Sequence, residues 1–510
     1  MRRSLRWGLT GALVLSTARP GLPQQPRAWP AATLGSPTPL VIRGQAKADE
    51  APAQPAQARA STSDQRIYPI NLATALQLAN ARPLDVAIAA RQVEVAAATL
   101  DRARYAWLPT VLAGGDYFRH EGPQQNPGGD LVSSSRQSAM AGLGVNATFA
   151  VTDAIFGPLA ARQELRAREA RAQATANDIT LSVAEAYFNL QQARGEYAGT
   201  LRQVKEGTEL VRRAEQLAKG LAPAVEATRA RVELARRRQA AAAARERWQT
   251  ASAELARLLR LEPSLLLEPI EPANLTVPLI DSTLPVDDLI PIALTSRPEL
   301  AANQALVQAT LQRLRQEKMR PLIPSVLIRG ASTPVTGTLS FGAFGGGPNG
   351  RLGDFNTRLD LDAQLLWEFQ NLGVGNRARV RERQGEHEVA LLELFRTQDS
   401  IAAEVAAEHA RLQSATERLH DAEPALRDAL DSLQKNMEGL GQTRRIGEVL
   451  VLVNRPQEVV AALQAFAQAT SDYYAAVGDY NRAQFRLYRA LGQPAHGLAA
   501  IMPCAEPPRK

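Results

Sequence analysis

One feature constrains this chain more than any other. A strand-like stretch with period-2 alternation runs straight into a proline-free helical run far longer than an ordinary helix, and it does so twice. In the first instance Ala139, Ala141, Leu143, Val145, Ala147, Phe149 and Val151 are apolar, and small or polar residues stand between them except at Met140. That alternation belongs to a strand with one apolar face. From Leu159 to Ala222 there is no proline, and Ala, Arg, Glu, Gln and Leu dominate. These are good helix formers, and a helix of this length reaches roughly 90–100 Å at about 1.5 Å per residue. In the second instance Thr357, Leu359, Leu361, Ala363, Leu365, Trp367 and Phe369 alternate with mostly polar neighbours. Gly373-Val374-Gly375-Asn376 follows, then a second long run up to Pro424, where a kink or break is expected.

The material between these stretches also recurs. Arg82-Pro83 and Arg297-Pro298 lie 215 residues apart, as do Pro109 and Pro324. Val405, Leu412 and Ala415 lie 222 residues after Val183, Leu190 and Ala193, and Gly447 lies 227 after Gly220. Tyr480, Ala483, Leu487 and Leu491 follow Trp248, Ala251, Leu255 and Leu259 by 232. A slowly drifting offset is the mark of an internal duplication with small insertions. Each half reads helix, strand, loop, strand, long helix, turn, helix. Expected elements are a helix from Ile70 to Trp107, loops at His120–Arg136 and Ala331–Gly353, and a turn at Lys219–Pro223 with Gly220 as the helix C-cap. A returning helix to Leu261, an extended connection from Leu265 to Leu284, and a helix from Asp287 to Arg320 complete the plan. The implied division is 1–20 signal peptide, 21–66 disordered Pro/Ala/Gln-rich linker, 67–263 first repeat, 264–284 linker, 285–494 second repeat and 495–510 tail.

Four strands of this length, apolar on one face and polar on the other, carry the pattern of transmembrane barrel strands. Four cannot close a barrel, and lipid does not tolerate an open edge, so several copies must share one. The lipid-facing candidates are Leu143, Val145, Phe149, Leu359, Leu361, Leu365 and Trp367, with Phe149, Trp367 and Phe369 as an aromatic girdle where strands become helices. The basic start Met1-Arg2-Arg3 followed by a short apolar segment reads as a secretory signal. The single cysteine, Cys504, leaves no intrachain disulfide and no cysteine for a lipid anchor. The net charge of +7 is spread along helices of mixed charge, which excludes a nucleic-acid patch.

Catalytic and cofactor chemistry finds no support. The five histidines form no metal-binding motif. Gly373-Val374-Gly375-Asn376-Arg377-Ala378 matches G-x-G-x-x-A in form, but the strand before it has a wet face and no crossover strand follows. The glycines are read as a strand-to-helix junction, so neither an enzyme nor a cofactor or metal site is expected.

Several stretches resemble the TolC-like outer-membrane efflux proteins. They are the Leu108-Pro109 and Ile323-Pro324 lead-ins to the first strand of each half, and Trp367-Glu368-Phe369 before Gly373–Val380. The segment Val183–Leu190, the turns Lys219-Gly220-Leu221 and Arg445–Glu448, and the Tyr/Ala/Leu spacing from Tyr473 to Gly492 belong with them. The resemblance covers about Tyr68 to Pro494. It implies a mostly α protein with membrane β structure: a homotrimer whose 12-stranded β-barrel lies in outer-membrane lipid and continues as a long α-helical barrel in the periplasm. It implies a passive exit duct of a tripartite efflux or type I secretion system, opened at its periplasmic tip by an adaptor protein coupled to an inner-membrane pump. The adaptor-contact tips would be Gly220, Leu221 and Ala222, with Gly447, Glu448 and Val449 in the second half. Glu226 is the candidate gate carboxylate, although Val453 and Pro456 stand where a second acid would pair with it. The alternative is a soluble or envelope-associated coiled-coil scaffold without transport activity.

Overall fold

The computed structural model describes residues 67–81, 83–329, 339–348, 351–446 and 449–493. The expected signal, linker and C-terminal tail, with Cys504, lie outside them. The chain is mostly helical, in two runs of like order. The first comprises β1 (Ile67–Ile70), α1 (Leu72–Ala81), α2 (Leu84–Arg104), β2 (Thr110–Gln125), β3 (Leu131–Ala150), α3 (Val151–Leu217) and α4 (Ala224–Leu258). β4 (Leu266–Pro269) follows, then α5 (Val286–Ser296), α6 (Pro298–Met319), β5 (Ser325–Arg329), β6 (Phe341–Pro348), β7 (Gly353–Leu359) and β8 (Asp362–Leu366). A 3₁₀ turn at Gln370–Gly373 leads into α7 (Val374–Gly439), and β9 (Thr443–Ile446), β10 (Val449–Leu452) and α8 (Pro456–Ala490) end the described chain.

The long helices form where composition places them. α3 has 67 residues and α7 has 66. α3 begins directly at Val151 and accommodates Pro158 in its second turn. α7 passes through Pro424 without breaking. Pro424 is exposed, so the carbonyl its missing N–H leaves free faces water and costs little. Ile70 belongs to β1 rather than to the first helix, because β1 pairs in parallel with β4 from the inter-repeat connection.

The strands are longer than the alternation alone suggests. β2 and β3 stay paired from Thr110↔Asn146 to Gln125↔Leu131, so most of the expected loop His120–Arg136 is ladder. Only Asn126–Asp130 turns: Asn126 Oδ1 accepts from the N–H groups of Gly128 (3.1 Å) and Asp130 (2.9 Å), and Gly129 takes φ +90°. The expected loop Ala331–Gly353 likewise contains β6, a Gly-rich strand on β3. Cβ atoms at Gly142 or Gly342 would fall within 2.2 Å of the facing backbone, which explains why only glycine fits there.

Pairing runs β2–β3–(β5, β6)–(β8, β7), all antiparallel, so the six segments trace four paths. Asn146 pairs with Arg329 but Leu143 with Phe341; three residues of β3 are thus matched by twelve of the third path. The fourth path shows the same step, with Asp362 on Arg329 and Leu359 on Phe341. At this step the expected single strand Asn356–Phe369 is divided into β7 and β8, with Leu361 between them.

Three clusters of buried residues hold the helices. The first joins α1, α3, α4 and the β1/β4 pair, and includes Val183, Leu190, Trp248, Leu255 and, from α8, Phe485. The second joins α5, α7 and α8 through Val405, Leu412, Ala415, Ala483 and Leu487. The third lies at the far ends of α3, α4, α7 and α8, around Leu210, Ala230, Leu433 and Phe466. α3 and α8 approach closely because Gly195 and Gly199, one turn apart, face Tyr474 and Thr470. The inter-repeat connection is fastened by side chains. Asn481 accepts from Val277 N–H (2.9 Å) and donates to Leu275 C=O (2.8 Å), while Gln484 Oε1 accepts from the N–H groups of Leu279 and Ile280.

Candidate pore walls and helix tips

Residues directly opposite in an antiparallel ladder share a face. One row across the whole sheet is Ala113–Leu143–Phe341–Leu359, and others are Val111–Val145 and Phe149–Val326–Leu365. Five of the seven residues singled out from the sequence, Leu143, Val145, Phe149, Leu359 and Leu365, thus stand on one apolar face, while Leu361 lies between β7 and β8 and Trp367 just after β8. Leu359, Leu361, Leu365 and Trp367 are each more than half exposed. The reverse face carries Asp116, Met140, Phe344, Asn356, Arg358 and Gln364. There the Arg358 guanidinium lies 4.9 Å from the Phe344 ring centre and pairs with Asp360, and Gln364 donates to Asp362 (2.7 Å). The sheet thus has a greasy side and a hydrogen-bonded polar side.

The first tip is a short helix-to-helix turn. Gly220 does not cap α3 in the left-handed region as expected: it is absent from the residues with positive φ, and a Cβ there would meet nothing within 4 Å. The α3 end is closed instead by the N–H groups of Gly220, Leu221 and Ala222, which all donate to Leu217 C=O. Leu221 is half exposed. The second tip is built differently. β9 and β10 form a two-stranded hairpin with Ile446 opposite Val449. Gly447 and Glu448 fall outside the described residues, and Val449 opens β10. Val453 N–H donates to Gln442 C=O (2.8 Å), extending the hairpin's hold, and Pro456 occupies the first turn of α8. The three β-branched valines of the run Val449–Val453 favour a strand over a helix here, a signal present in the sequence.

Glu226 sits in the first turn of α4 and is only 7% exposed. Its Oε1 accepts from Arg229 Nη1 (2.8 Å), and Arg229 reaches Gln457 of α8 (3.4 Å). Its Oε2 is buried without a hydrogen-bond partner. Two turns along the same helix face, Glu233 is 2% exposed, accepting from Arg237 Nε (2.7 Å) and from Gln464 Nε2 of α8 (2.8 Å). Sequence reasoning missed Glu233, although its seven-residue spacing from Glu226 marks a shared face. Together the two carboxylates tie α4 to α8 next to the tip.

No group of three or more His, Cys, Asp or Glu side chains forms a metal site among the described residues. The G-x-G-x-x-A stretch is a strand-to-helix junction: β8 pairs antiparallel with β5, and Gly373 (φ +88°) precedes the first turn of α7. No helix of the described residues is long and apolar enough to cross a membrane.

Residues 75–259 match the family described as outer membrane efflux protein. That stretch, a little over a third of the chain, is similar to the family. Among curated proteins none matches in sequence. Solved structures match over most of the chain. The outer-membrane channel OprN superimposes with a TM-score of 0.66 at 18% identity, covering 83% of this chain and 90% of its own. The Campylobacter jejuni CmeC outer membrane channel gives 0.65 at 14% identity, covering 83% and 85%. CusC gives 0.64 at 17% identity, covering 89% and 99%. At these identities the likeness establishes the TolC-like fold. The matching family is an outer-membrane one, and OprN and CmeC are both described as outer-membrane channels.

Proposed function

We propose that three copies of this chain close into one duct across the outer membrane, through which cargo leaves by passive efflux. The observation that carries this reading is a set of matching free edges. The sheet ends at β2 on one side and at β7/β8 on the other. Beside these edges stand α2, with Leu84, Ile88 and Val95 exposed, and α7, with Val389, Leu392 and Phe395 exposed. Apolar residues on two different edges suit a head-to-tail contact that closes by rotation. Lipid requires such closure, because unpaired ladder groups are costly there. Three copies of four paths make a twelve-stranded barrel, the number the TolC-like fold implies. The buried positions repeated at one offset, such as Val183 and Val405 or Leu190 and Leu412, support an origin of the two halves by duplication.

In this reading Leu143, Val145, Phe149, Leu359, Leu361, Leu365 and Trp367 face lipid. The turn at Gly220, Leu221 and Ala222 and the hairpin around Gly447, Glu448 and Val449 meet a periplasmic adaptor coupled to an inner-membrane pump. Glu226 and Glu233 hold α4 to α8 in the closed state, and opening parts these helices. The protein acts as a channel and not as an enzyme. Single-channel conductance of the detergent-purified protein in a planar bilayer tests the reading. Small, long-lived pores are expected, with larger conductance in Glu226→Ala. A well-folded protein that stays soluble without detergent and never enters bilayers would refute it.

A further inference from the structure

The two strand-to-helix junctions of the chain differ in charge. At the start of α3, Asp153 accepts from Arg320 Nη2 and from Gln316 Nε2, each at 2.7 Å, and Arg320 also pairs with Glu317 (3.3 Å). That junction is neutralised from within. At the start of α7 there is no acid in the first turn. Arg377, Arg379 and Arg381 are exposed there, and none has an ion pair or side-chain hydrogen bond among the described residues. Cations near a helix N-terminus are unfavourable unless an anion joins them.

Arg377 and Arg381, one turn apart, line an open pocket of about 650 Å³ with Pro321, Phe369, Val374 and Val380. The surroundings are apolar and face outward. Trp367 and Phe369 follow the end of β8, and both are more than half exposed. Leu372 is 98% exposed and held at φ +58°, next to Asn371 at φ +46°. A leucine in the left-handed region costs free energy, and here that conformation sets an apolar side chain outside the protein. Guanidinium groups, aromatic rings and an outward leucine at the end of a membrane strand form an interfacial binding surface.

We propose that this pocket binds the headgroup of an anionic phospholipid in the leaflet on the helical side. Arg377 and Arg381 bind the phosphate, while Phe369, Val374 and Val380 pack on the glycerol and upper acyl chain. The inference rests on the reading of the sheet as membrane-embedded and adds a specific ligand class to it. Arginine suits the role because its guanidinium matches phosphate oxygens in pairs.

The test uses the full chain, delipidated in detergent and then given phosphatidylglycerol or phosphatidylethanolamine, with retained lipid read by native mass spectrometry. The same protein is placed in nanodiscs of either lipid. The wild type is expected to retain phosphatidylglycerol in preference, in the presence of excess inorganic phosphate. In Arg377→Gln/Arg381→Gln the retention should weaken by more than tenfold, at about fivefold per surface guanidinium. Arg238→Gln/Arg245→Gln on α4, which removes equal charge, should leave it unchanged. Equal retention by both variants, no preference between the lipids, or displacement by phosphate would each overturn the proposal while the protein still enters nanodiscs. Loss of the trimer in the pocket variant, with lipid retention intact, would assign the pocket to a neighbouring copy instead. Failure of the wild type to enter nanodiscs would overturn the membrane reading and this proposal together.

Discussion

The connection between the halves is held by two amide side chains, and removing one of them has a calculable local effect. Asn481 is fully buried, and its side chain accepts from Val277 N–H and donates to Leu275 C=O. In Asn481→Ala both backbone groups lose their partner. A buried polar group left without one costs about 1–3 kcal/mol, so the segment should loosen by about 2–6 kcal/mol in its folded form. Water can enter the space vacated by the amide, which favours the lower end, about 2 kcal/mol. Since 1.4 kcal/mol is a factor of ten, amide hydrogen exchange at Val277 should accelerate about 30-fold. Gln484 still holds Leu279 and Ile280, so exchange there should change much less. Hydrogen–deuterium exchange of the purified protein, resolved on peptides spanning 273–281, reads both regions at once. Unchanged exchange at Val277 in a normally folded variant would refute the reasoning. So would equal acceleration along the whole segment, because the two amides would then not act as separate fasteners.

Glycine substitutions should separate sharply by position. A Cβ at Gly195 would lie 2.8 Å from the Tyr474 ring and from Ala273 Cβ, so Gly195→Val should destabilise by about 1–3 kcal/mol and lower the thermal midpoint. Gly220→Ala should be neutral or stabilise by up to about 1 kcal/mol, since its φ is negative and its surroundings are open. Glu233→Leu strands the Arg237 guanidinium and Gln464 beside α4, and circular dichroism melts should show a loss of about 3 kcal/mol. The Glu209 carboxylate on α3 accepts hydrogen bonds from Arg212 and Arg213, which hold its pKa down at about 2. Its folded value is thus below its unfolded one, so the favourable contribution is present above pH ~4.3 and fades as pH falls through about 2. Carbon-13 NMR of glutamate-labelled protein should show Glu209 titrating well below the ordinary carboxylate range, and Arg212→Gln/Arg213→Gln should return it to that range.

Much of this architecture was legible because it rests on periodicity. The alternation from Ala139 to Val151 and the proline-free run after it define β3 and α3, and the repeated Arg-Pro landmarks locate the α1/α2 and α5/α6 breaks. What escaped was set by partners distant in sequence. Residues 133–137 are all polar, yet they are strand because β2 supplies every opposite position. The register step between Arg329 and Phe341 is invisible locally and appears only in the pairings on either side of it. The second tip read as a plain turn because its glycine matched the first, whereas the valines around it favoured a hairpin. At the candidate gate, Glu226 was legible as a first-turn acid, but its burial and the link from its partner Arg229 to Gln457, at the far end of the sequence, were not.

The fastening of the first half by the last helix also bears on how the protein is made. Phe485 packs on Phe188 at 5.2 Å between ring centres, inside a cluster otherwise built from residues 70–277. The N-terminal half therefore emerges from synthesis and export with its core incomplete, and waits for some two hundred more residues before α8 arrives to seal it. Contacts so distant in sequence fold slowly and leave apolar surface exposed in the interval. A chain truncated before α8 is expected to be a client of periplasmic chaperones and proteases rather than a smaller folded protein.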